Sequence, residues 1–176
     1  FSDSAPAAAE DHFGQAVALN DNATTALVGA YQSNVHGQAY VYTGSGGTFS
    51  TASEKILAPP DPNTTIAPGA GVHSDDFGFS VSLSGNGNTA LIGAPFHLTG
   101  GHATFPGCDV NGFPGIRITG SAYVFTNVGG AGGTPQEINE DDAGQNDTCT
   151  DFDGYNVSLS GDGATAVTGA PKYGNK

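Results

Sequence analysis

Apolar and small polar residues alternate over short stretches of the chain. In DDFGFSVSLSGNGNTALIGAP, which runs from Asp75 to Pro95, the bulky residues Phe79, Val81 and Leu83 are separated by serines. This period of two predicts a β-strand with one bulky and one small face. The apolar stretch TALIGA that follows predicts a second strand, covered on both faces. Between them we expect a two-residue type I′ turn at Asn86-Gly87.

The same pattern occurs three times in the chain. The first copy, DHFGQAVALNDNATTALVGAY, runs from Asp11 to Tyr31, and the third, DFDGYNVSLSGDGATAVTGAP, from Asp151 to Pro171. A third strand pattern follows the first two copies, as GQAYVYT from Gly37 and GSAYVFT from Gly120, and short EKIL and QEIN segments come after it. Repeats of this kind predict stacked structural units of four strands each, with the third unit stopping after two.

Phe-Gly followed by Gly-Ala-Pro, with GSAYVF downstream, resembles the FG-GAP repeat. That family builds the β-propeller of integrin α chains and of many secreted propeller proteins. The resemblance implies an all-β fold of antiparallel, four-stranded β-propeller-type blades, of which this chain holds about two and a half repeats. It also implies a structural or adhesive role, since few members are enzymes, and we predict no catalytic residues.

The repeat boundaries predict an N-terminal extension (1–9), blade 1 (10–73), blade 2 (74–149) and a half blade 3 (150–176). A long insertion (95–119) separates the second and third strands of blade 2. Propellers close with four to eight blades, so we expect this array to be open or completed by neighbouring chains. The expected partners are identical subunits or further blades of the same chain, because uncovered strand edges and blade faces attract other chains.

The composition narrows the choice of partners. Four Lys and Arg residues against 17 Asp and Glu give a net charge of −13, which disfavours nucleic acid as a ligand. No run of 18 apolar residues occurs, so we predict no membrane span. Acidity, few lysines, paired cysteines and several Asn-x-Ser/Thr sequons together favour an extracellular or cell-surface glycoprotein. The expected glycosylation sites, with covalent glycans as partners, are Asn22, Asn63 and Asn146.

Cys108 and Cys149 lie in loop sequence and are expected to form a disulfide, which would contribute about 4 kcal/mol in the chain-entropy model. Free thiols or a metal site are the alternatives. His97 and His102 lie near Cys108, but their spacing does not resemble a zinc site.

The loop NEDDAGQNDTCTDFDG offers the hard oxygen ligands that Ca²⁺ prefers. Its candidate ligands are Asp147, Asp151 and Asp153, and the alternative is a solvated acidic loop. The strand-joining loops NDNATT, SGNGNT and SGDGAT are too short and too poor in carboxylates for the DxDxDG calcium loop of integrin-type repeats. No cofactor is certain from the sequence, and Ca²⁺ is the one candidate.

The sequence therefore favours an extracellular, glycosylated structural or adhesive protein built of FG-GAP blades, which self-assembles into a fibril or surface coat. The alternative is a Ca²⁺-dependent ligand-recognition fragment of a larger receptor-like propeller protein.

Overall fold

The computed structural model describes residues 11–62, 75–98, 109–110, 113–114, 118–130, 132–138 and 150–171. These residues form antiparallel sheets with almost no helix, and the predicted all-β fold of open blades is confirmed. Within the described ranges the structure has no helix long and apolar enough to cross a membrane.

Blade 1 is an antiparallel sheet built from one continuous stretch of chain. Its strands are β1 (Val17–Leu19), β2 (Thr25–Ala30), β3 (Gln38–Ser45), β4 (Thr48–Phe49) and β5 (Lys55–Leu57), with a 3₁₀ turn at Thr51–Ser53. The blade itself has the order β1-β2-β3-β5, because β5 pairs with the middle of β3 while β4 pairs with its end.

Blade 2 repeats this order with an insertion. Its strands are β6 (Ser80–Leu83), β7 (Thr89–Ala94), β8 (Asp109–Val110), β9 (Phe113–Pro114), β10 (Ile118–Thr126) and β11 (Gln136–Ile138). The four-stranded blade has the order β6-β7-β10-β11, and β8 and β9 form a separate small hairpin between β7 and β10. The four strands predicted for each full unit are thus present in both blades.

Blade 3 is represented by a hairpin and the strand that leads into it. Its strands are β12 (Thr150–Asp153), β13 (Asn156–Leu159) and β14 (Ala166–Gly169). β13 and β14 pair with each other, whereas β12 pairs in parallel with β10 of blade 2. An equivalent parallel bridge joins Phe77 to Gly37, so the entry to each later blade is held by the third strand of the blade before it.

The turn that joins the first two strands of blade 2 differs from the prediction. Ser84 N donates to Thr89 O at 2.9 Å, and Gly87 N donates to Ser84 O at 2.8 Å, so residues 85–88 form the loop. Gly87 has a φ of 70°, but Asn86 has no positive φ, which a type I′ turn would require. The two-residue turn predicted at Asn86-Gly87 is therefore wrong. The Asn86 side chain explains the wider turn, because its Oδ1 accepts from Asn88 N at 2.9 Å.

The first copy forms the same turn without the glycine. Ala23 N donates to Asn20 O at 3.0 Å, and Ala23 has a φ of 51°, where a side chain is strained. We expect Ala23→Gly to raise the free energy of unfolding by about 1 kcal/mol, since relief of that strain outweighs the entropy cost of glycine. Thermal and urea denaturation will measure the change. Ala164→Gly, in the third turn and without a positive φ, is the control and is expected to lower stability by about 0.5 kcal/mol. A loss of stability in Ala23→Gly would contradict this account.

The main hydrophobic core lies between blades 1 and 2. Leu27 and Val41 contribute from blade 1, and Ile92 and Tyr123 from blade 2. Phe77, fully buried, lies among them with its ring centroid 5.6 Å from that of Tyr123. A second cluster on the other face of blade 1 contains Ala26, Val28, Ala30, Tyr40 and Tyr42, against which Phe13 and Phe49 pack.

Candidate functional site

At each blade interface, a backbone carbonyl of one blade lies against a glycine of the other blade. It occupies the space that the Cβ of any other residue would need. A Cβ added to Gly29 of β2 would lie less than 3.0 Å from Gly78 O, and one added to Gly93 of β7 would meet Gly154 O in the same way. Gly78 and Gly154 belong to the turns that open the following blades. Real Cβ atoms do not approach a carbonyl so closely, so the glycine of each Gly-Ala motif is required by the blade stacked on it.

The small faces of the strands carry hydrogen bonds between blades. Ser80 Oγ donates to Gly154 O at 2.8 Å, and Ser82 Oγ accepts from Leu159 N at 3.0 Å. The turn tips are joined too, because Asp21 N donates to Gly85 O at 3.0 Å and Gly85 N donates to Gly161 O at 2.8 Å. Blade 2 therefore presents a small polar face to blade 3.

The corresponding face of blade 3 has no blade on it among the described residues. We name it the terminal face and define it by Asn156, Ser158, Val167 and Gly169, the register equivalents of Ser80, Ser82, Leu91 and Gly93. A Cβ added to Gly169 would find only Asn156 atoms, at 3.6 Å and 3.8 Å, and Val167 is 61% exposed. Among the described residues, no carbonyl lies over Gly169 as Gly154 O lies over Gly93.

The opposite end of the array exposes the matching surface. Val17 and Leu19 of β1 are 68% and 59% exposed, whereas the residues at the same repeat positions in blade 2, Val81 and Leu83, pack into the core against blade 1. We name the surface formed by Gly14, Val17 and Leu19 the leading face. Within the described part of the chain, a Cβ added to Gly14 would meet nothing within 4 Å.

A polar cluster lies where blades 1 and 2 meet. Asp75 is fully buried, and its two oxygens lie 3.0 Å from His36 Nδ1 and 3.0 Å from His97 Nδ1. Each oxygen of Asp75 is placed to accept an Nδ1–H from one of these histidines. Asp11, at the same position in the first copy, accepts instead from a backbone donor, Phe13 N, at 3.2 Å.

The other ring nitrogen of His97 faces two further carboxylates. His97 Nε2 lies 3.8 Å from Asp61 Oδ2 and 3.8 Å from Glu137 Oε1. Burial lowers the pKa of His97, but the hydrogen bond and charge of Asp75, with the charges of Asp61 and Glu137, outweigh it and hold this pKa above its usual value.

Two hydroxyl groups orient these carboxylates. Tyr123 donates its O–H to Asp61 Oδ1 at 3.1 Å, and Ser121 Oγ donates to Glu137 Oε1 at 2.7 Å. Burial, together with the charges of Glu137 and Asp61, raises the pKa of Tyr123 far above its usual range. The phenol therefore keeps its proton and remains a donor to Asp61.

Comparison with protein families identifies a repeat in the first part of the chain. A protein-family model described as FG-GAP repeat matches residues 5–42, a range that contains β1, β2 and most of β3. The stretch 5–42 is therefore similar to an FG-GAP repeat. The FG-GAP repeat suggests an integrin-like propeller module, and such repeats occur typically in extracellular and surface proteins. A search of curated proteins found no significant match.

Some of the residues predicted as sites lie within the described FG-GAP blades. Asn22 is exposed at the tip of the β1–β2 turn, in a position that a glycan could occupy. Asp151 and Asp153 lie on β12 and are buried. Asp153 Oδ1 accepts from Gly154 N at 2.9 Å, while its Oδ2 has no hydrogen-bond partner among the described residues.

The remaining predicted residues lie outside the described residues: Asn63, Cys108, Asn146, Asp147 and Cys149. The calcium site, the disulfide and the glycosylation sites therefore stay predictions.

The cluster around His97 was missed because its members lie far apart in the chain. Asp61 follows β5, Glu137 lies on β11 and His97 follows the Gly-Ala-Pro that ends β7. No local spacing joins them, and only the packing of two FG-GAP blades brings their side chains together. The repeat gives no signal either, because Ser33 stands in blade 1 at the position of His97.

Proposed function

We propose that the chain is a structural, adhesive module of an extracellular or cell-surface protein, and that its row of blades continues when another FG-GAP blade docks on the terminal face. In a sample of this chain alone, the docking blade is blade 1 of a second copy, which offers its leading face. Head-to-tail contacts of this kind produce a ring if they close and a filament if they do not.

The glycine contacts carry this proposal. Both interfaces inside the chain seat a turn carbonyl over the glycine of a Gly-Ala motif, Gly78 O over Gly29 and Gly154 O over Gly93. Gly169 stands at the same position and has room for a carbonyl above it. The occupant is therefore specified as an FG-GAP turn rather than as an apolar partner in general.

The exposed valine and leucine support the same occupant. Val17 and Leu19 align with Val81 and Leu83. In blade 2, these two residues are covered by blade 1. Docking would remove these apolar side chains from water. Full burial of each side chain would contribute up to about 1.5–3 kcal/mol to the free energy of association. The net charge of −13 opposes association, so we expect docking to strengthen as salt screens the repulsion.

The acidic surface and the sequons support an extracellular setting. Asn22 is exposed at a turn tip, where a glycan would project away from the blade row. Glycans along the turn tips would leave the leading and terminal faces accessible for docking. A glycosylated surface coat or fibril is the form of assembly that fits these features.

Gly169→Ala is expected to prevent docking while leaving the fold intact. The new Cβ would occupy the place that the incoming carbonyl needs, but its nearest neighbour among the described residues is 3.6 Å away. Multi-angle light scattering should show that the average mass of the unaltered chain rises with protein and salt concentration. The Gly169→Ala variant should remain at the mass of one chain.

Gly129→Ala is the matched control. A Cβ on Gly129 would meet only Thr43 Cγ2, at 3.8 Å, and Gly129 lies away from both end faces. This variant should associate like the unaltered chain. A mass that stays at one chain in the unaltered protein at every concentration, or association that persists in Gly169→Ala, would overturn the proposal.

A further inference from the structure

We infer that Asp61, His97 and Glu137 form a binding site for a divalent transition-metal ion such as Zn²⁺ between blades 1 and 2. One ligand atom from each of the three residues lies within 4.8 Å of the other two. The inference does not depend on the docking of blades, because the whole site lies within one chain.

The tautomer of His97 directs a lone pair into the site. Its Nδ1–H is committed to Asp75, so the neutral imidazole carries its lone pair on Nε2, which faces Asp61 and Glu137. A carboxylate that holds the far nitrogen of a ligating histidine is the usual outer support of a metal site. Here that carboxylate is completely buried, which fixes the orientation of the ring.

A metal ion between His97 Nε2 and the two carboxylate oxygens fits their separations better than hydrogen bonds do. The two Nε2–oxygen separations of 3.8 Å are too long for hydrogen bonds, which end near 3.2 Å. Ligands bound tetrahedrally at about 2.1 Å lie about 3.4 Å apart, so a small inward shift would complete the coordination. When His97 gives up its Nε2 proton, its lone pair faces those of the two carboxylates, and a divalent cation can take the place of the proton.

Neighbouring side chains hydrogen-bond to the candidate ligands, as they do around bound metal ions. Tyr123 and Ser121 each donate a hydrogen bond to one of the carboxylates and so restrict its rotation. The side chain of His97 is only 4% exposed, whereas that of Asp61 is 54% exposed, which gives an ion a route in from solvent.

The donor set selects the class of metal. One imidazole nitrogen with two carboxylate oxygens suits Zn²⁺ and its first-row neighbours, while Ca²⁺ and Mg²⁺ prefer oxygen alone. Asp61 belongs to the segment after the last strand of blade 1, and the other two ligands belong to blade 2. A bound ion would therefore link the two blades.

Isothermal titration of the full chain with Zn²⁺ tests the inference. We expect one ion per chain, with affinity reduced about 10- to 100-fold or more in His97→Gln, Glu137→Gln and Asp61→Asn, the scale seen when metal-site residues are removed. Asp162→Asn is the control, because this exposed carboxylate has an asparagine, Asn86, at the same position in blade 2. It should bind like the unaltered chain.

If the His97→Gln variant loses stability because it leaves the buried Asp75 without one of its partners, the Asp61→Asn variant still tests the metal site. Asp61 is exposed by more than half, so its variant should fold, which circular dichroism will check. Zinc binding that is absent, or that is equal in the unaltered chain and in Asp61→Asn and Glu137→Gln, would overturn the inference. Tighter binding of Ca²⁺ than of Zn²⁺ at these residues would overturn it as well.

Discussion

Gly93→Ala is expected to lower the free energy of unfolding by more than about 3 kcal/mol, a large part of the 5–15 kcal/mol typical of a domain. The added Cβ would overlap Gly154 O, which belongs to backbone and cannot swing aside like a side chain. Relief therefore requires that blade 3 move away from blade 2. That movement would break the hydrogen bonds from Ser80 Oγ to Gly154 O and from Leu159 N to Ser82 Oγ.

Gly169→Ala supplies the comparison for this effect. It is the same substitution at the same position of the repeat, but no blade is packed there among the described residues. Its free energy of unfolding, measured by urea denaturation of dilute samples, should lie within about 0.5 kcal/mol of that of the unaltered chain. Equal destabilisation at the two positions would mean that the backbone, and not the stacked blade, requires glycine.

Phe77→Ala is expected to lower the free energy of unfolding by about 3–5 kcal/mol. The ring is fully buried between blades 1 and 2, and its centroid lies 5.6 Å from that of Tyr123 and 5.9 Å from that of Phe125. Truncation would leave a cavity that the paired strands on both sides cannot easily fill. Urea denaturation, followed by the circular dichroism of the sheets, measures the loss.

Phe13→Ala is the control for the loss of an aromatic ring. Phe13 is at the same repeat position in the first copy, but it is only half-buried and packs from outside on Tyr40 and Tyr42. We expect a cost of about 1–2 kcal/mol. If Phe13→Ala were as costly as Phe77→Ala, the core between the two blades would not be the main source of stability.

The strand content of the blades could be predicted because its signal is local. The period-two pattern of FSVSL and the small apolar run TALIGA specify two strands without reference to the rest of the chain. The same pattern also predicted a small face, but only the structure shows why the residues of that face are small. Ser80 and Ser82 are small because the next blade approaches them closely enough for hydrogen bonds.

Sequence reasoning missed one feature that local side chains determine and two that depend on distant contacts. The turn after β6 is wider than predicted because Ser84 and Asn86 hydrogen-bond its backbone and to each other. β12 is a strand only because β10 of the preceding blade pairs with it. His97 meets Asp61 and Glu137 only when two blades have packed, so no spacing along the chain could indicate the cluster.

A mixing experiment tests the central claim, head-to-tail docking of FG-GAP blades, most directly. Val17→Asp places a charge on the leading face, and Gly169→Ala blocks the terminal face, so each variant retains one working end. Analytical ultracentrifugation should show single chains for each variant alone and a dimer, but nothing larger, for their equimolar mixture. A mixture that stays monomeric while the unaltered chain associates, or a single variant that still forms long assemblies, would contradict the account.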